Sequence, residues 1–367
     1  MQVRQLKSFK NSWIIVQDND VISRNRKKFL ISLLAIALAF TCLLIVKEVR
    51  KPQPIPNYSA SEKSTETVVV IPNGATGDEI GKILFQSDVV KSSRAFFAAA
   101  TANEKSAGIQ PGTYSLNTKI SGREAVQQLL DSKRRLLVLL IREGERAYEI
   151  KDDLIKLKFP EAAIKKFYDK KISLPAFGEQ PIEGFLFPAT YNLTPDQDLT
   201  DVRKVILNKF TSEIAAVDFV TKSKLRSLTP YEMLIVASIV QAEGYDQADF
   251  SRIARVIFNR LQAGMPLQMD STNLYALRER RIAVTKKDLS ISSRYNSYAT
   301  KGLPPTPIGN PGADAIQAAL SPSDGDWLYF VTVEPKLTKF TKSYDEFLRF
   351  KNEFKANLRA GKFDGAQ

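Results

Sequence analysis

One uncharged segment near the N-terminus limits what this chain can fold into. Residues 29–46 read FLISLLAIALAFTCLLIV, eighteen positions without a charged side chain. At 1.5 Å of rise per residue, an α-helix of this length extends about 27 Å, which is close to the thickness of a bilayer's hydrocarbon core. The segment therefore predicts a single transmembrane helix, and the rest of the chain must be assigned to one side of the membrane or the other.

Basic residues flank this segment unequally. Seven precede it and three follow it closely: Arg4, Lys7, Lys10, Arg24, Arg26, Lys27 and Lys28, then Lys47, Arg50 and Lys51. Because basic residues are retained in the cytoplasm, residues 1–28 are predicted to form a cytoplasmic tail and the remainder to lie outside the cytoplasmic membrane. A cleaved signal peptide is the alternative, but its apolar region should be shorter, and no small-x-small cleavage site follows the segment.

The composition excludes several kinds of catalytic site. The chain has 367 residues, no His and a single Cys, Cys42, which lies inside the apolar segment. Without His it cannot build a Ser-His-Asp or Cys-His arrangement, a His-ligated zinc site or a His-ligated haem. One Cys also excludes an intramolecular disulfide or a multi-Cys metal cluster. Catalysis, if present, must use carboxylates, Lys, Tyr or hydroxyls.

The net charge of +13 favours a polyanionic neighbour, which is nucleic acid, an anionic membrane surface or a charged wall polymer. Nucleic acid is the weakest of these. Residues 1–28 alone hold seven positive and two negative charges, so the remainder is only mildly basic. The predicted topology also places that remainder outside the cytoplasm.

A segment without hydrophobic periodicity follows the apolar span. Residues 47–66 carry three Pro together with several Ser and Thr. This composition is typical of an extended linker. The folded part of the chain is therefore predicted to begin near Thr67.

An internal repeat organises the middle of the chain. A β-branched run at 68–71 stops at the turn residue Gly74 and precedes an amphipathic segment. Seventy residues later, the apolar run 137–141 stops at Gly144, and apolar residues follow at the same offsets. Each run predicts a strand that leads into a helix.

A second pair of segments extends the repeat. Residues 113–116 read TYSL and residues 190–193 read TYNL, 77 positions apart, and each precedes a further predicted helix. The pattern indicates two related strand–helix–strand–helix units, at about 67–132 and 137–210. Two unrelated αβ segments that share common turn and core residues are the alternative.

A buried helix is predicted after Ser227. Thr229 is placed as its N-cap, Pro230 at the first helical position and Glu232 at the third, which is a capping box. Apolar residues then cover most of the circumference from 233 to 240, as in a core helix. Gly244 fits the residue that follows a helix end.

Glu243 stands in the last turn of this predicted helix. A carboxylate there faces the negative end of the helix dipole and partial burial, and both raise its pKa. A carboxyl that stays protonated near neutral pH can act as a general acid. The alternative is an exposed Glu just beyond the helix end, with no special role.

Several further motifs follow Glu243. A second helix is predicted over 249–263, and it carries Asn259. Gln268 lies in a short extended segment that leads to Asp270, which is predicted to cap a helix through Leu277.

A Tyr-rich segment and a Pro-rich loop complete the series. Tyr295-Asn296-Ser297-Tyr298 combines aromatic faces with polar edges, as sugar binding requires, although an ordinary loop with its Tyr rings packed on the core is equally consistent. The loop 302–312 is predicted to lead into a helix capped by Asn310, and a strand is predicted over 327–333.

Together these motifs resemble the YceG-like family, the MltG-type endolytic murein (peptidoglycan) transglycosylases. The matching segments are 183–191 (EGFLFPATY), 237–243 (ASIVQAE), 259–261 (NRL), 264–272 (GMPLQMDST), 295–298 (YNSY), 302–308 (GLPPTPI) and 310–312 (NPG). The resemblance runs from the membrane segment to about residue 350.

The resemblance implies an α+β fold with a single N-terminal transmembrane helix. It implies a LysM-like αβ subdomain over 67–135, then a mixed α/β YceG-like catalytic domain over 136–352 and a C-terminal tail over 353–367. It places the catalytic glutamate at Glu243. The candidate substrate-binding residues are Glu183, Asn259, Gln268, Asp270, Tyr295, Asn296 and Tyr298.

The chain departs from the family pattern at three positions. Gln241 stands where relatives often carry the first carboxylate of a Glu-x-Glu pair, so any support from that carboxylate is lost while Glu243 is kept. Met269 stands where Thr is common, and Ser271 where Pro is common.

The implied reaction is lysis of the MurNAc-β-1,4-GlcNAc bond in nascent glycan strands, which leaves 1,6-anhydro-MurNAc ends and ends strand elongation. One carboxyl serves as acid and then as base, so neither a metal nor another cofactor is needed. The implied partners are peptidoglycan glycan strands and the cytoplasmic membrane, with penicillin-binding synthases as further candidates and no nucleic acid. The alternative is a non-catalytic wall-binding or division scaffold, against which an intact Glu243 within its motifs argues.

Overall fold

The computed structural model describes residues 18–49, 54–59, 64–282 and 284–363. The chain divides into two units, Met1–Asn57 and Tyr58–Gln367. In the first unit, helix α1 spans Asp18–Val49, so it begins before the predicted span and contains all of it. The part Lys28–Lys47 is long and apolar enough to cross a membrane, and none of it is buried within the protein. The helix is therefore compatible with a single-pass anchor. Of the predicted cytoplasmic tail, residues 1–17 lie outside the described residues.

The second unit begins with two strands and three helices. They are β1 (Glu66–Ile71), α2 (Gly77–Gln86), α3 (Ser93–Thr101), β2 (Gly112–Asn117) and α4 (Gly122–Leu130). Their apolar side chains form a separate core that includes Leu84, Phe96 and Leu116. Within the predicted linker, residues 54–59 have no regular secondary structure.

The next part repeats this order with an added hairpin. Its elements are β3 (Arg135–Ile141), α5 (Ala147–Lys156), α6 (Glu161–Asp169), the short strands β4 (Ile172–Leu174) and β5 (Gly178–Gln180), β6 (Ala189–Leu193) and α7 (Leu199–Ala216). The predicted domain boundary at 135/136 falls inside β3, within the single unit Tyr58–Gln367.

The four long strands form one antiparallel sheet in the order β1-β2-β3-β6. Val70 pairs with Thr113 in the first half, and Leu140 pairs with Thr190 in the second, which preserves the offsets seen in the sequence. The two Tyr residues next in register also make equivalent bonds. Tyr114 donates its hydroxyl proton to the Gln110 carbonyl (2.6 Å), and Tyr191 donates to the Phe187 carbonyl (2.7 Å). The repeat predicted from the sequence is present as two strand pairs of equal register.

The remaining elements carry the candidate site. They are α8 (Phe219–Leu225), α9 (Pro230–Glu243), α10 (Gln247–Gln262), α11 (Asp270–Leu277), α12 (Ala313–Leu320), β7 (Tyr329–Glu334), β8 (Leu337–Thr341) and α13 (Tyr344–Arg359). The capping box at Thr229 is confirmed, because Thr229 Oγ1 accepts from the Glu232 N–H at 3.2 Å while Glu232 Oε2 accepts from the Thr229 N–H at 2.8 Å. Residues 233–240 are all buried, as predicted for a core helix.

Two predicted helix ends differ in detail. Gly244 follows α9 but has φ −83°, so it is not in the left-handed conformation that favours glycine. A Cβ at this position would lie 2.3 Å from the ring of Phe250, so close packing is what requires glycine. Asp270 is the first residue of α11 rather than its cap, because Met269 occupies the cap position.

The prediction that Asn310 caps a helix is wrong. Helix α12 begins at Ala313, with Gly312 at the cap position. The Asn310 side-chain oxygen instead accepts from the N–H groups of Gly184 (3.0 Å) and Leu186 (2.8 Å). These donors lie in a buried turn, and a buried N–H without a partner is costly, so the amide serves the turn and not the helix.

The C-terminal segment is more ordered than a tail. Helix α13 runs through the predicted boundary at 352 and ends at Arg359. Phe354 then contacts the ring of Phe363 at a centroid distance of 5.3 Å, which extends the folded part to the last described residue. The strand predicted over 327–333 is β7, and it begins two residues later at Tyr329.

Candidate active site

Glu243 lies in the last turn of α9, partly buried, where the sequence predicted a carboxyl with a raised pKa. The backbone N–H of Ser271 donates to its Oε1 at 3.1 Å and fixes the orientation of the carboxyl. Burial, and next the negative charge of Asp270, raise the pKa of Glu243 to about 7, against the opposing effects of the Ser271 bond and of Arg260. At neutral pH, Glu243 is therefore protonated in a large fraction of the molecules, unlike an ordinary carboxyl.

Asp270 is the second carboxyl of the site. Tyr298 donates its hydroxyl proton to Asp270 Oδ1 at 2.5 Å. Burial raises the pKa of Asp270, while the bond from Tyr298 and the positive charge of Lys351 oppose that rise. Three sequence-predicted residues, Glu243, Asp270 and Tyr298, are thus brought to one place.

The two loops that carry these groups are fastened to each other. The Gln268 N–H donates to the Ser297 carbonyl (3.0 Å), and the Met269 N–H donates to the Ser297 hydroxyl (2.9 Å). Gln268 is exposed and has a left-handed backbone conformation, with φ +50°. Gln268 is therefore placed beside the Asp270 segment.

Asn296 supports the same loops from beneath. Its buried Oδ1 accepts from the N–H of Tyr298 (3.1 Å) and from Nδ2 of Asn273 (3.2 Å). Its own Nδ2 donates to the carbonyls of Leu289 and Ile291, both at 3.0 Å. With every amide group engaged by the protein, Asn296 holds Tyr298 in position.

Arg260 is a further residue of the site, which the sequence offered only as part of the segment 259–261. It is buried, with Nε donating to the Leu328 carbonyl (2.6 Å) and Nη1 to the Leu267 carbonyl (2.5 Å). It joins α10 to the segment before Asp270 and to the segment before β7. The available signal was a charged residue within the apolar stripe of α10, seven positions after Ile253.

Asn259 bonds a different part of the protein. Its Nδ2 donates to the carbonyls of Gly325 (3.2 Å) and Trp327 (2.8 Å), which ties α10 to the loop before β7. The structure shows no bond between Asn259 and the Glu243 group.

Glu183 and Tyr295 belong to a second, buried network. Glu183 accepts from the Ala147 N–H (3.0 Å), the Tyr275 hydroxyl (2.9 Å) and Nδ2 of Asn310 (3.3 Å). Burial raises the pKa of Glu183 to about 7. The Tyr295 ring lies 5.1 Å from the Tyr275 ring, centroid to centroid. Tyr275, which the sequence analysis missed, links both residues to α11, whose first turn carries Asp270.

Gln241 occupies the position at which the sequence departs from the family pattern. Its side-chain oxygen accepts from the Gly312 N–H at 2.9 Å. An amide oxygen supplies the acceptor that a carboxylate would supply, and it does so without a second negative charge two residues before Glu243. Among the residues that the structure describes, no group of three or more His, Cys, Asp or Glu side chains is arranged to hold a metal ion.

Comparison with known proteins gives a consistent result. Residues 69–353 match the YceG-like family. The chain is 32% identical over 320 residues to the endolytic murein transglycosylase of Bacillus subtilis strain 168, which covers 80% of this chain and 86% of that protein. It is 29% identical over 298 residues to the endolytic murein transglycosylase of Streptococcus pneumoniae D39, covering 72% of this chain and 53% of that longer protein.

A solved structure shares the fold. The crystal structure of a YceG-like protein from Listeria monocytogenes superposes with a TM-score of 0.54 at 28% identity, covering 77% of this chain and 98% of that one. Because the family match extends over most of the chain and includes the Glu243, Asp270 and Tyr298 segments, the chain belongs to the YceG-like family.

Proposed function

We propose that this chain is an endolytic murein transglycosylase that cleaves MurNAc-GlcNAc bonds and uses Glu243 as its acid and base. The observation that carries the proposal is a partly buried carboxyl, oriented by the Ser271 N–H and raised to a pKa of about 7 by burial and by Asp270. A carboxyl with a pKa near the working pH can both give and recover a proton efficiently. The relatives with this name support the assignment.

The reaction needs one such group. Protonated Glu243 gives its proton to the GlcNAc O4 oxygen as the C1–O4 bond breaks. The C6 hydroxyl of the same MurNAc then attacks C1, and its proton passes to the Glu243 carboxylate. The C1–O6 bond replaces the C1–O4 bond, Glu243 regains its proton, and no water is consumed.

Asp270 acts on this cycle through its charge. Its negative charge opposes ionisation of Glu243, so it keeps the acid protonated before cleavage. The Tyr298 hydroxyl fixes the Asp270 carboxyl, and Gln268 is exposed beside it for contact with the sugar. Asn259, Glu183, Tyr295 and Asn296 contribute to binding indirectly, because their polar groups are engaged with the protein itself.

The products test the proposal. The full chain in detergent micelles, given uncrosslinked glycan strands, should release internal fragments with 1,6-anhydro-MurNAc ends, read by mass spectrometry. Fragments with reducing ends would make the chain a hydrolase. Binding of the strands without cleavage would support the non-catalytic scaffold instead.

The same assay predicts a pH dependence. Because cleavage requires protonated Glu243, kcat/KM should fall as pH rises through about 7, and then by about tenfold per further pH unit. Glu183 has a similar pKa but contacts only protein groups, so a Glu183→Gln variant should keep the falling limb in place. A kcat/KM that is constant from pH 6 to pH 9 would contradict the role of Glu243 as the acid.

We propose that the catalytic part lies outside the cytoplasmic membrane, on the side where the glycan strands are extended. The support is the apolar helix Lys28–Lys47 and the excess of basic residues before it. This placement brings the chain near the synthases that extend glycan strands, and cleavage there would end elongation.

The separate core around Leu84 and Phe96 supports a distinct LysM-like subdomain that binds glycan.

The placement has a direct test. Protease added to intact spheroplasts should degrade residues 52–367 and leave a short membrane-protected N-terminal fragment, detected with an antibody or tag at each end. A cytoplasmic protein of the same cells serves as the control for intact membranes. Protection of the C-terminal tag until detergent is added would reverse the assigned orientation.

A further inference from the structure

Three aromatic side chains at the surface of the second unit have no role in the site described so far. Tyr329 of β7 lies 5.0 Å from Phe347 and 5.7 Å from Tyr344 of α13, and Tyr344 lies 5.9 Å from Phe347, all between ring centroids. We call these three rings the aromatic platform. No residue of α13 is buried, and 55% of Tyr344 is exposed to solvent. Large aromatic rings grouped at the surface, rather than in the core, are typical of binding surfaces.

The platform is joined to the catalytic group through Arg260. The Arg260 guanidinium carbon lies 5.1 Å from the centroid of the Tyr329 ring. The same guanidinium donates to the Leu267 carbonyl, three residues before Asp270, and its charge acts on Glu243. The platform and the acid therefore flank one buried side chain.

A cation lies on the same face of α13. Tyr344, Phe347 and Lys351 stand at positions i, i+3 and i+7, and Lys351 Nζ lies 5.8 Å from the centroid of the Phe347 ring. Lys351 is exposed and forms no ion pair with the described residues, while its charge reaches Asp270. The platform thus has beside it a positive charge that no described carboxylate neutralises in an ion pair.

We infer that the aromatic platform and Lys351 form a glycan subsite that stacks a pyranose ring and pairs with a carboxylate carried by the sugar. The flat aromatic faces suit the apolar face of the ring. The ammonium suits the carboxylates that muramic units carry, which are free lactyl groups in peptide-free strands and carboxylates of the stem peptides in nascent strands. The cation beside the rings favours an acidic glycan over an apolar surface of a protein partner or of a second copy of the chain. The inference rests on the proposed function, because it makes the platform an extension of the cleavage site along the same strand.

The test measures binding in a chain that cannot cleave. The full-length Glu243→Gln chain in detergent micelles is titrated with two ligands of equal length. One is peptide-free glycan, whose muramic units carry lactyl carboxylates, and the other is a neutral chitin oligosaccharide. Tyr344→Ala and Lys351→Ala are each added to this background. Leu225→Ala removes an apolar side chain that is 80% exposed, and Arg349→Ala removes a cation of α13 paired with Glu346, so these are the matched controls.

The two substitutions should separate the two contacts. Tyr344→Ala should weaken binding of both ligands by about 3- to 10-fold. Lys351→Ala should weaken binding of the acidic glycan alone, by about 2- to 5-fold, and this loss should disappear in high salt. The control variants should bind both ligands like the Glu243→Gln chain.

Three results would overturn the inference. Unchanged affinity in both variants would remove the platform from the binding surface. An equal effect of Lys351→Ala on both ligands would contradict the carboxylate contact. A change of oligomeric state in Tyr344→Ala, seen by sedimentation, would assign the platform to a second copy of the chain. If the Glu243→Gln chain binds neither ligand and the native chain cleaves neither, the proposed function itself fails. If the glycan binds but its affinity does not change in the Tyr344→Ala and Lys351→Ala variants, only the inference about the platform fails.

Discussion

Replacing Glu243 by Gln is expected to abolish glycan cleavage while the fold and glycan binding stay nearly intact. The amide has the same shape and can still accept the bond from the Ser271 N–H, but it cannot give a proton to the leaving oxygen or recover one from the C6 hydroxyl. Loss of general acid catalysis removes about 10² to 10⁴ in rate. Because one group fills both proton-transfer roles here, we expect a loss at or above the upper end of that range, measured as 1,6-anhydro ends formed per unit time.

Two carboxyl variants serve as controls for this result. Asp270→Asn should impair turnover, because it removes the charge that keeps Glu243 protonated, and Glu183→Gln should impair it through the packing of Tyr275 and α11. Neither should abolish it. If Glu243→Gln cleaves at near the native rate while either control is inactive, the catalytic assignment is wrong.

The Glu243→Gln variant also has a predicted effect on stability whose size depends on pH. The folded-state pKa of Glu243 is raised to about 7 from an ordinary 4.5, so its contribution to stability is fully present below pH 4.5 and is lost as pH rises through 7. Gln cannot ionise and avoids this loss. The melting temperature of Glu243→Gln should therefore match the native chain near pH 4 and exceed it at pH 8, measured by circular dichroism.

Features set by local sequence were predictable. The apolar run predicted α1, the Thr229 capping box predicted the start of α9, and the position of Glu243 in the last helical turn predicted its raised pKa. The repeat was also visible, because strand register depends on the alternation of side chains that the two halves share. Each of these signals lies within about twenty consecutive residues or recurs at a fixed offset.

Features that depend on distant contacts were not predictable from one sequence. Asn310 precedes a helix as a cap would, yet its amide bonds a turn more than one hundred residues earlier in the chain. Glu183 lies in a motif that predicted a substrate-binding role. Its carboxyl is instead enclosed by Ala147, Tyr275 and Asn310, from three different segments. The type of a polar residue shows which hydrogen bonds it can form. Its partner depends on the tertiary fold, which one sequence does not reveal.

The role of Asp270 shows how local and distant factors combine. Its place at the start of a helix was predicted within one residue, whereas its effect on Glu243 depends on the packing of α11 against α9. Tyr275, near the other end of α11, donates its hydroxyl proton to Glu183. The raised pKa of Glu243 therefore depends on a contact between two helices that the sequence of neither helix specifies.

Replacing Gly184 by Ala is expected to cost about 2 to 5 kcal/mol of folding free energy, from backbone strain and overpacking together. Gly184 has φ +90°, a conformation that side chains with a Cβ rarely adopt. A Cβ there would lie 2.6 Å from Pro307 Cγ and 3.2 Å from Leu234 Cδ2, and the Pro ring cannot turn aside. The turn also donates its N–H to Asn310, so a displaced backbone would break a buried hydrogen bond as well.

Gly178 provides the matched control, since it also has a positive φ, +69°, but no atom lies within 4 Å of the position of its Cβ. Gly178→Ala should therefore carry the strain alone, about 1 to 2 kcal/mol. Both variants are compared with the native chain by denaturant unfolding followed by circular dichroism. Equal losses would mean that the contact with Pro307 does not constrain the turn. A larger loss at Gly184 would show that the close approach of Pro307 and of Leu234, on α9, constrains the turn that follows Glu183.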